Sequence, residues 1–371
     1  MRARALAAAA LLASCSSAPT GPKPAPLPQI GSPQQVRVLW SASVGSAERF
    51  VFAPALAGDS VYAAARDGTV RRLDAANGRE RWRAPAGVRL SAGVGADSRT
   101  AAVATEAGEV IALDTERGEV RWRARVSSEV LAPPTVGEGV VVVRSIDNRI
   151  FAFGAEDGKR RWVYQRAPSS LIVRTHEGAV IRDGMLYAGF RGGKLAAIAL
   201  ANGGVRWEAT VALPKGTTEL ERVTDVVGDP VLLDREVCAA AYQGRVVCYE
   251  AASGRQIWAR EVSSLTGLSL DARYAFVADD KGAVHALDRS NGRSVWKQDR
   301  LSYRQLSLPL PTGNTVAVGD FEGYVHFLSR ETGEFVARHA TRGGAVRAEP
   351  VPLPSGLLVQ TQDGSLLALS L

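Results

Sequence analysis

One frame recurs down this chain, and it leaves few folds open. A glycine is followed at +5 by an apolar residue, at +10 by a second glycine and at +14 by a tryptophan. The frame reads Gly68, Leu73, Gly78, Trp82 in its first copy and Gly108, Leu113, Gly118, Trp122 in its second. It continues as Asn148, Phe153, Gly158, Trp162, then Gly193, Ile198, Gly203, Trp207, then Gly244, Tyr249, Gly254, Trp258, and then Gly282, Leu287, Gly292, Trp296. A seventh copy has Gly323, Leu328 and Gly333 but Ala337 in place of Trp, and an eighth reaches only Gly364 and Leu369 before Leu371. Successive copies are 40, 40, 45, 51, 38, 41 and 41 residues apart. That period suits a propeller blade and is too long for leucine-rich or ankyrin units.

Within a copy, "SVYAAA" (60–65), "TVRRLDA" (69–75) and "RERWRA" (79–84) are short β-prone runs split by Gly turns, with "FAPAL" (52–56) ahead of them. Each copy therefore predicts a four-stranded antiparallel blade, and the whole an all-β, eight-bladed β-propeller over residues 35–371. The last copy supplies only "AEPVPL", "GLLVQT" and "SLLALSL". Its outer strand has to come from residues 36–44, which carry Trp40, a tryptophan outside the seven downstream copies; a ring closed this way leaves no sheet edge open. Since all seven Trp sit on the frame, their expected task is to dock one blade on the next, each with one N–H to satisfy.

Ahead of the repeats, Arg2, Arg4 and "ALAAAALLA" form a signal segment (1–14), and "LASC" matches a lipobox ending at Cys15, the expected lipidation site. Residues 15–34 are Pro-rich and read as an extended tether from that anchor. Such a chain is expected at the outer membrane, its propeller facing the periplasm. There Cys238 and Cys248, on either side of the "AYQG" turn, face each other across a hairpin, which makes a disulfide feasible; two buried thiols are the alternative. The formal charge of +7 becomes +5 once Arg2 and Arg4 are removed, and it is carried by no Lys/Arg run, which argues against nucleic acid.

Enzyme signatures are missing. His176, His285, His326 and His339 lie on different copies without metal-ligand spacing, and no P-loop, GxSxG or dinucleotide fingerprint occurs. Asp74, Asp114 and Asp288 recur in the frame, which points to turn hydrogen bonds and not to catalysis. The repeat grammar resembles that of quinoprotein alcohol dehydrogenases, but those carry an adjacent Cys pair over the cofactor and this chain has none. No cofactor and no metal are expected.

Function in a repeat protein gathers where the period breaks. From each Trp to the next copy the distance is 26, 26, 31, 37, 24 and 27 residues, so the surplus follows Trp162 and Trp207, on the rim that also carries the hairpins between the second and third strands. The first long connection, "APSSLIVRTHEG" (167–178), sets Leu171, Ile172 and Val173 beside Arg174, an interface signature, unless Leu171 to Val173 are an ordinary inner strand. The second, "ALPKGTTELERVTDVVGDP" (212–230), carries Glu219, Glu221, Arg222 and Asp225, for which solvation or an Arg222–carboxylate pair is an equal reading.

With "SSLIVRT", "TTELERVTDV", "AYQGRVVCYEAASGRQIW" and "VAVGDFEGYVHFLSRETGEFVA", the chain resembles the BamB family of lipoproteins of the outer-membrane β-barrel assembly (BAM) complex. The resemblance implies a non-enzymatic eight-bladed propeller whose rim binds a POTRA domain of the barrel insertase BamA. It places the family's Leu-x-Leu-Arg element on Leu171, Val173 and Arg174, and its paired Asp element on Asp225 and Val227, where the second acid is missing. A propeller lipoprotein that binds a small ligand, or scaffolds another envelope complex, is the alternative.

Overall fold

The structure, a computed structural model, describes residues 21–166, 178–218 and 221–371. Those residues form eight four-stranded antiparallel sheets, and in seven of them four consecutive strands lie side by side in chain order. The eighth is completed from the N-terminus: Arg37–Ser43 pairs with Ser365–Ser370, placing Trp40 opposite Ala368. The expected eight-bladed, N-terminally closed propeller is what forms.

The first strands of successive sheets contact one another around a full circle, from Ala55–Ala57 through to Val351–Leu353 and back, so they line the central channel. In the first blade that inner strand is Ala55–Ala57, shorter than "FAPAL", because the chain reaches Pro54, which has no N–H for a ladder, just before it. Second and third strands, such as Ser60–Ala64 and Thr69–Asp74, are buried on both faces, whereas outer strands such as Glu80–Pro85 are mostly exposed.

Core packing lies between blades. Eight apolar clusters each draw on two neighbours; Trp40, Leu358, Leu366 and Ala368 of the last blade meet Val61, Ala63 and Leu73 of the first. Every Trp indole lies on the second frame Gly of the next blade and donates to the carbonyl three residues before that Gly. Trp40 reaches Ala75 O at 3.0 Å, Trp82 reaches Thr115 O at 2.8 Å, and Trp296 reaches Arg330 O at 2.9 Å. A Cβ on Gly78 would stand 2.5 Å from the Trp40 ring, and its φ of +71° is left-handed, so the site requires glycine twice over. Ala337 now has an explanation: the outer strand of the last blade comes from the N-terminus, so that blade has no Gly turn for a tryptophan at 337 to rest on.

Candidate functional site: the loop rim and the channel

The frame aspartates hold turns. Asp74 Oδ1 accepts the N–H groups of Ala76 (3.0 Å) and Asn77 (3.3 Å), Asp114 does the same for Glu116 and Arg117, and the facing Arg81 and Arg121 hold both carboxyls below the usual range. His285 bonds Asp279 and His326 bonds Asp320, both at 2.9 Å, and among the described residues no three His, Cys, Asp or Glu side chains gather as a metal site. Cys238 and Cys248 sit directly opposite on Glu236–Ala241 and Val246–Glu250, with their sulfurs bonded.

On the rim, Leu171, Val173 and Arg174 lie outside the described residues, as do Glu219 and Cys15. The second long connection is described on both sides of that gap. Asp225 is buried, 1 % exposed; its Oδ1 accepts the N–H of Gly192 (3.2 Å), and its carbonyl accepts that of Tyr242 (2.8 Å). It thereby joins hairpins of the fourth and fifth blades from beneath the loop. Val227 is buried as well, on the inner strand. Glu221 closes its own turn: its carboxylate accepts the N–H groups of Thr217 (2.9 Å) and Thr218 (3.1 Å), while Thr218 Oγ1 accepts its N–H (3.2 Å). Those donors hold its pKa below the usual value.

With Glu221 engaged in this way, exposed Arg222 makes no ion pair among the described residues. Leu213, at 61 % the most exposed large apolar side chain described, stands earlier on the same connection. Sequence reasoning passed over Leu213 even though it lies within the surplus stretch; "ALPKG", an apolar residue in a polar loop, was the available signal. Gln243, with its amide turned to donate, reaches Glu221 O (2.7 Å) and Val223 O (3.1 Å), fastening the loop to the fifth-blade hairpin. The result is a held platform that presents an exposed apolar side chain, Leu213, and an exposed guanidinium, Arg222.

The channel has its own chemistry. One position per blade, four residues ahead of the inner-strand residue that pairs nearest the hairpin, is held by Ala53, Gly93, Pro133, Gly178, Asp229, Gly267, Leu308 and Glu349. Two of the eight are acids. Water reaches them, but protein surrounds them: burial pushes Asp229 up to about 6 against the pull of the Gly178 N–H and Arg144, and it pushes Glu349, which also meets the Asp229 charge, up to about 8. The residues here do not fit pyrroloquinoline quinone with calcium, because a hard cation takes about six to eight oxygen ligands and among the described residues no three His, Cys, Asp or Glu side chains gather around one point.

The fold defines a class: eight-bladed propellers of four-stranded antiparallel blades, docked on one another by tryptophans. A family model described as "Outer membrane protein assembly factor BamB" matches residues 32–87 and 66–298. A protein of that name from Bordetella pertussis is 48 % identical over 93 % of this chain and 89 % of its own length, and one from Burkholderia pseudomallei is 40 % identical over 97 % and 95 %. The crystal structure of BamB from Moraxella catarrhalis superposes with a TM-score of 0.83 at 27 % identity, covering 91 % of this chain and all of that one. A quinohemoprotein alcohol dehydrogenase from Comamonas testosteroni, at 14 % identity and TM-score 0.71 over 90 % of this chain and 76 % of its own, shares the fold alone. The chain belongs to the BamB family.

Proposed function

We propose that this propeller is a non-enzymatic scaffold of outer-membrane protein assembly, anchored by lipid at Cys15 and binding periplasmic POTRA domains of a BamA-like barrel insertase through its two long rim connections. The relatives' shared name, outer membrane protein assembly factor, supports the process. The observation that carries the binding surface is the second connection, held from below by Asp225 and Gln243 while Leu213 and Arg222 stand exposed on it. An apolar contact beside a guanidinium suits a partner surface that carries a carboxylate or a free carbonyl. In this reading Leu171 and Val173 add apolar area and Arg174 a second charge-assisted bond, Glu219 and Arg222 contribute at the polar edge, and Asp225 positions the loop. Titrating the mature chain with the POTRA domains of the same organism's insertase tests it: saturable binding supports the reading, and no binding at high micromolar concentration overturns it.

A further inference from the structure

Residues 22–34 are not a loose leader. The Ala25 N–H donates to Ser302 O (2.8 Å) and the Gln34 N–H to Val336 O (3.0 Å). Carbonyls in between accept guanidinium N–H groups: Ala25 O from Arg304 (3.0 Å) and Pro28 O from Arg338. Pro28 is buried, and Arg304, only 3 % exposed, is itself fixed by Asp320 (2.7 Å) and Glu322. A Pro-rich segment suits such docking, since it is stiff, has few N–H groups to satisfy and leaves its carbonyls free. It lies along Phe335–Ala340, the outer strand that carries Ala337 where the other blades carry Trp.

The direction of this strap matters. From the last-blade edge at Gln34 it runs to Pro22, which lines the same rim cavity as Leu265, Tyr303 and Arg347. Tyr303 and Arg347 lie on connections between blades and Leu265 stands at the start of the inner strand Ser264–Leu270, so Pro22 ends on the face where the chain passes from one blade to the next, the face that also bears the connection following Thr210. Pro22 is seven positions from Cys15, a reach of at most ~25 Å.

We propose that residues 22–34 are a docked strut which, with the lipid on Cys15, turns the loop-bearing rim of the propeller toward the bilayer surface. The proposal rests on the lipid anchoring advanced above. It means that a partner domain meets the rim on the membrane side of the propeller, and that the opposite face, with hairpins such as the one at Asn314, looks away.

The test uses the full lipidated chain on vesicles of phosphatidylethanolamine and phosphatidylglycerol containing a headgroup-bound quencher. One fluorophore is placed at Lys281→Cys, exposed on the rim, and another, in a separate protein, at Asn314→Cys, exposed on the opposite face. The rim label is expected to be quenched several-fold more than the other. Arg338→Ala or Pro28→Gly, checked for an intact melt, should erase the difference while leaving vesicle binding unchanged. Equal quenching of the two labels in the unaltered chain overturns the strut. A chain that does not bind vesicles at all overturns the anchor instead, and amide exchange at Ala25 and Gln34 then decides the strut, fast exchange at both ruling it out.

Discussion

Trp40 and Gly78 meet face to face across the closure of the ring, with the indole of the first strand lying on a turn of the first complete blade and its N–H on Ala75 O at 3.0 Å. The same contact recurs at six other junctions, but only here does it lock a strand that the last blade borrows from the opposite end of the chain.

Removing that lock should loosen the whole ring. Trp40→Ala deletes a side chain that is 7 % exposed and is expected to cost about 3–5 kcal/mol in equilibrium unfolding; deletion of residues 35–45 should cost more and broaden the transition. A deletion mutant that melts cooperatively at the unchanged temperature would refute the closure.

The receiving side is equally constrained. Gly78→Ala combines a left-handed φ with a Cβ 2.5 Å from the indole, and about 2–4 kcal/mol should be lost. Ala337→Trp should bring no gain despite restoring the frame, since no glycine turn receives the ring and Ala337 is fully buried. A higher melting temperature for that variant would show the seventh junction to be read wrongly.

Arg174→Glu is expected to weaken POTRA binding by at least ~2 kcal/mol without lowering the melting temperature, and Leu213→Ala by about 1 kcal/mol. Calorimetric titration beside a thermal melt separates the two effects; unchanged affinity removes the residue concerned from the interface.

The channel acids predict an alkaline weakness. Both folded-state pKa values are raised, so the native protein holds protons that the unfolded chain has released above about pH 4, and stability falls as pH rises from there through about 8. Glu349→Gln should melt a few degrees above the parent near pH 9, with the gap closing toward about pH 5. A gap that does not vary with pH would mean that Glu349 ionises freely.

Cys238 and Cys248 close a loop of ten residues' separation, and reduction should cost about 2–3 kcal/mol. Alkylation of both thiols in the unreduced protein, read by mass, would show them unbonded.

Repetition is what made this fold legible. A contact used seven times leaves a seven-fold imprint, so blade number, the shared task of the tryptophans and the origin of the missing strand could be counted from Gly68 to Leu369. Contacts made once leave no period. The grip of Arg304 and Arg338 on the Pro-rich segment joins residues about three hundred positions apart, and nothing local announces it. Between these extremes lie signals that are visible only once the structure shows where to look. Thr218-x-x-Glu221 has the spacing of a reciprocal capping turn, and Asp229–Pro230 and Glu349–Pro350 stand where the first blade has Ala53–Pro54. Arg222 illustrates the limit of spacing arguments: solvation and a carboxylate pair were equal readings of its neighbourhood, and only the structure shows that Glu221 is engaged by backbone N–H groups.

Pairing Arg37 with Ser370 also imposes an order of events on biogenesis. A chain that emerges N-terminus first exposes its closing strand, Arg37–Ser43, about three hundred residues before the strand it must find, Ser365–Ser370. Seven blades can stack meanwhile, but the last sheet edge and the Gly78 turn stay open until Ser365–Ser370 arrives. Completion is therefore a late, long-range step, slow by its contact order, during which an unpaired edge is available to other chains. A protein of this design carries a built-in check on its own length: a truncated copy cannot close its ring.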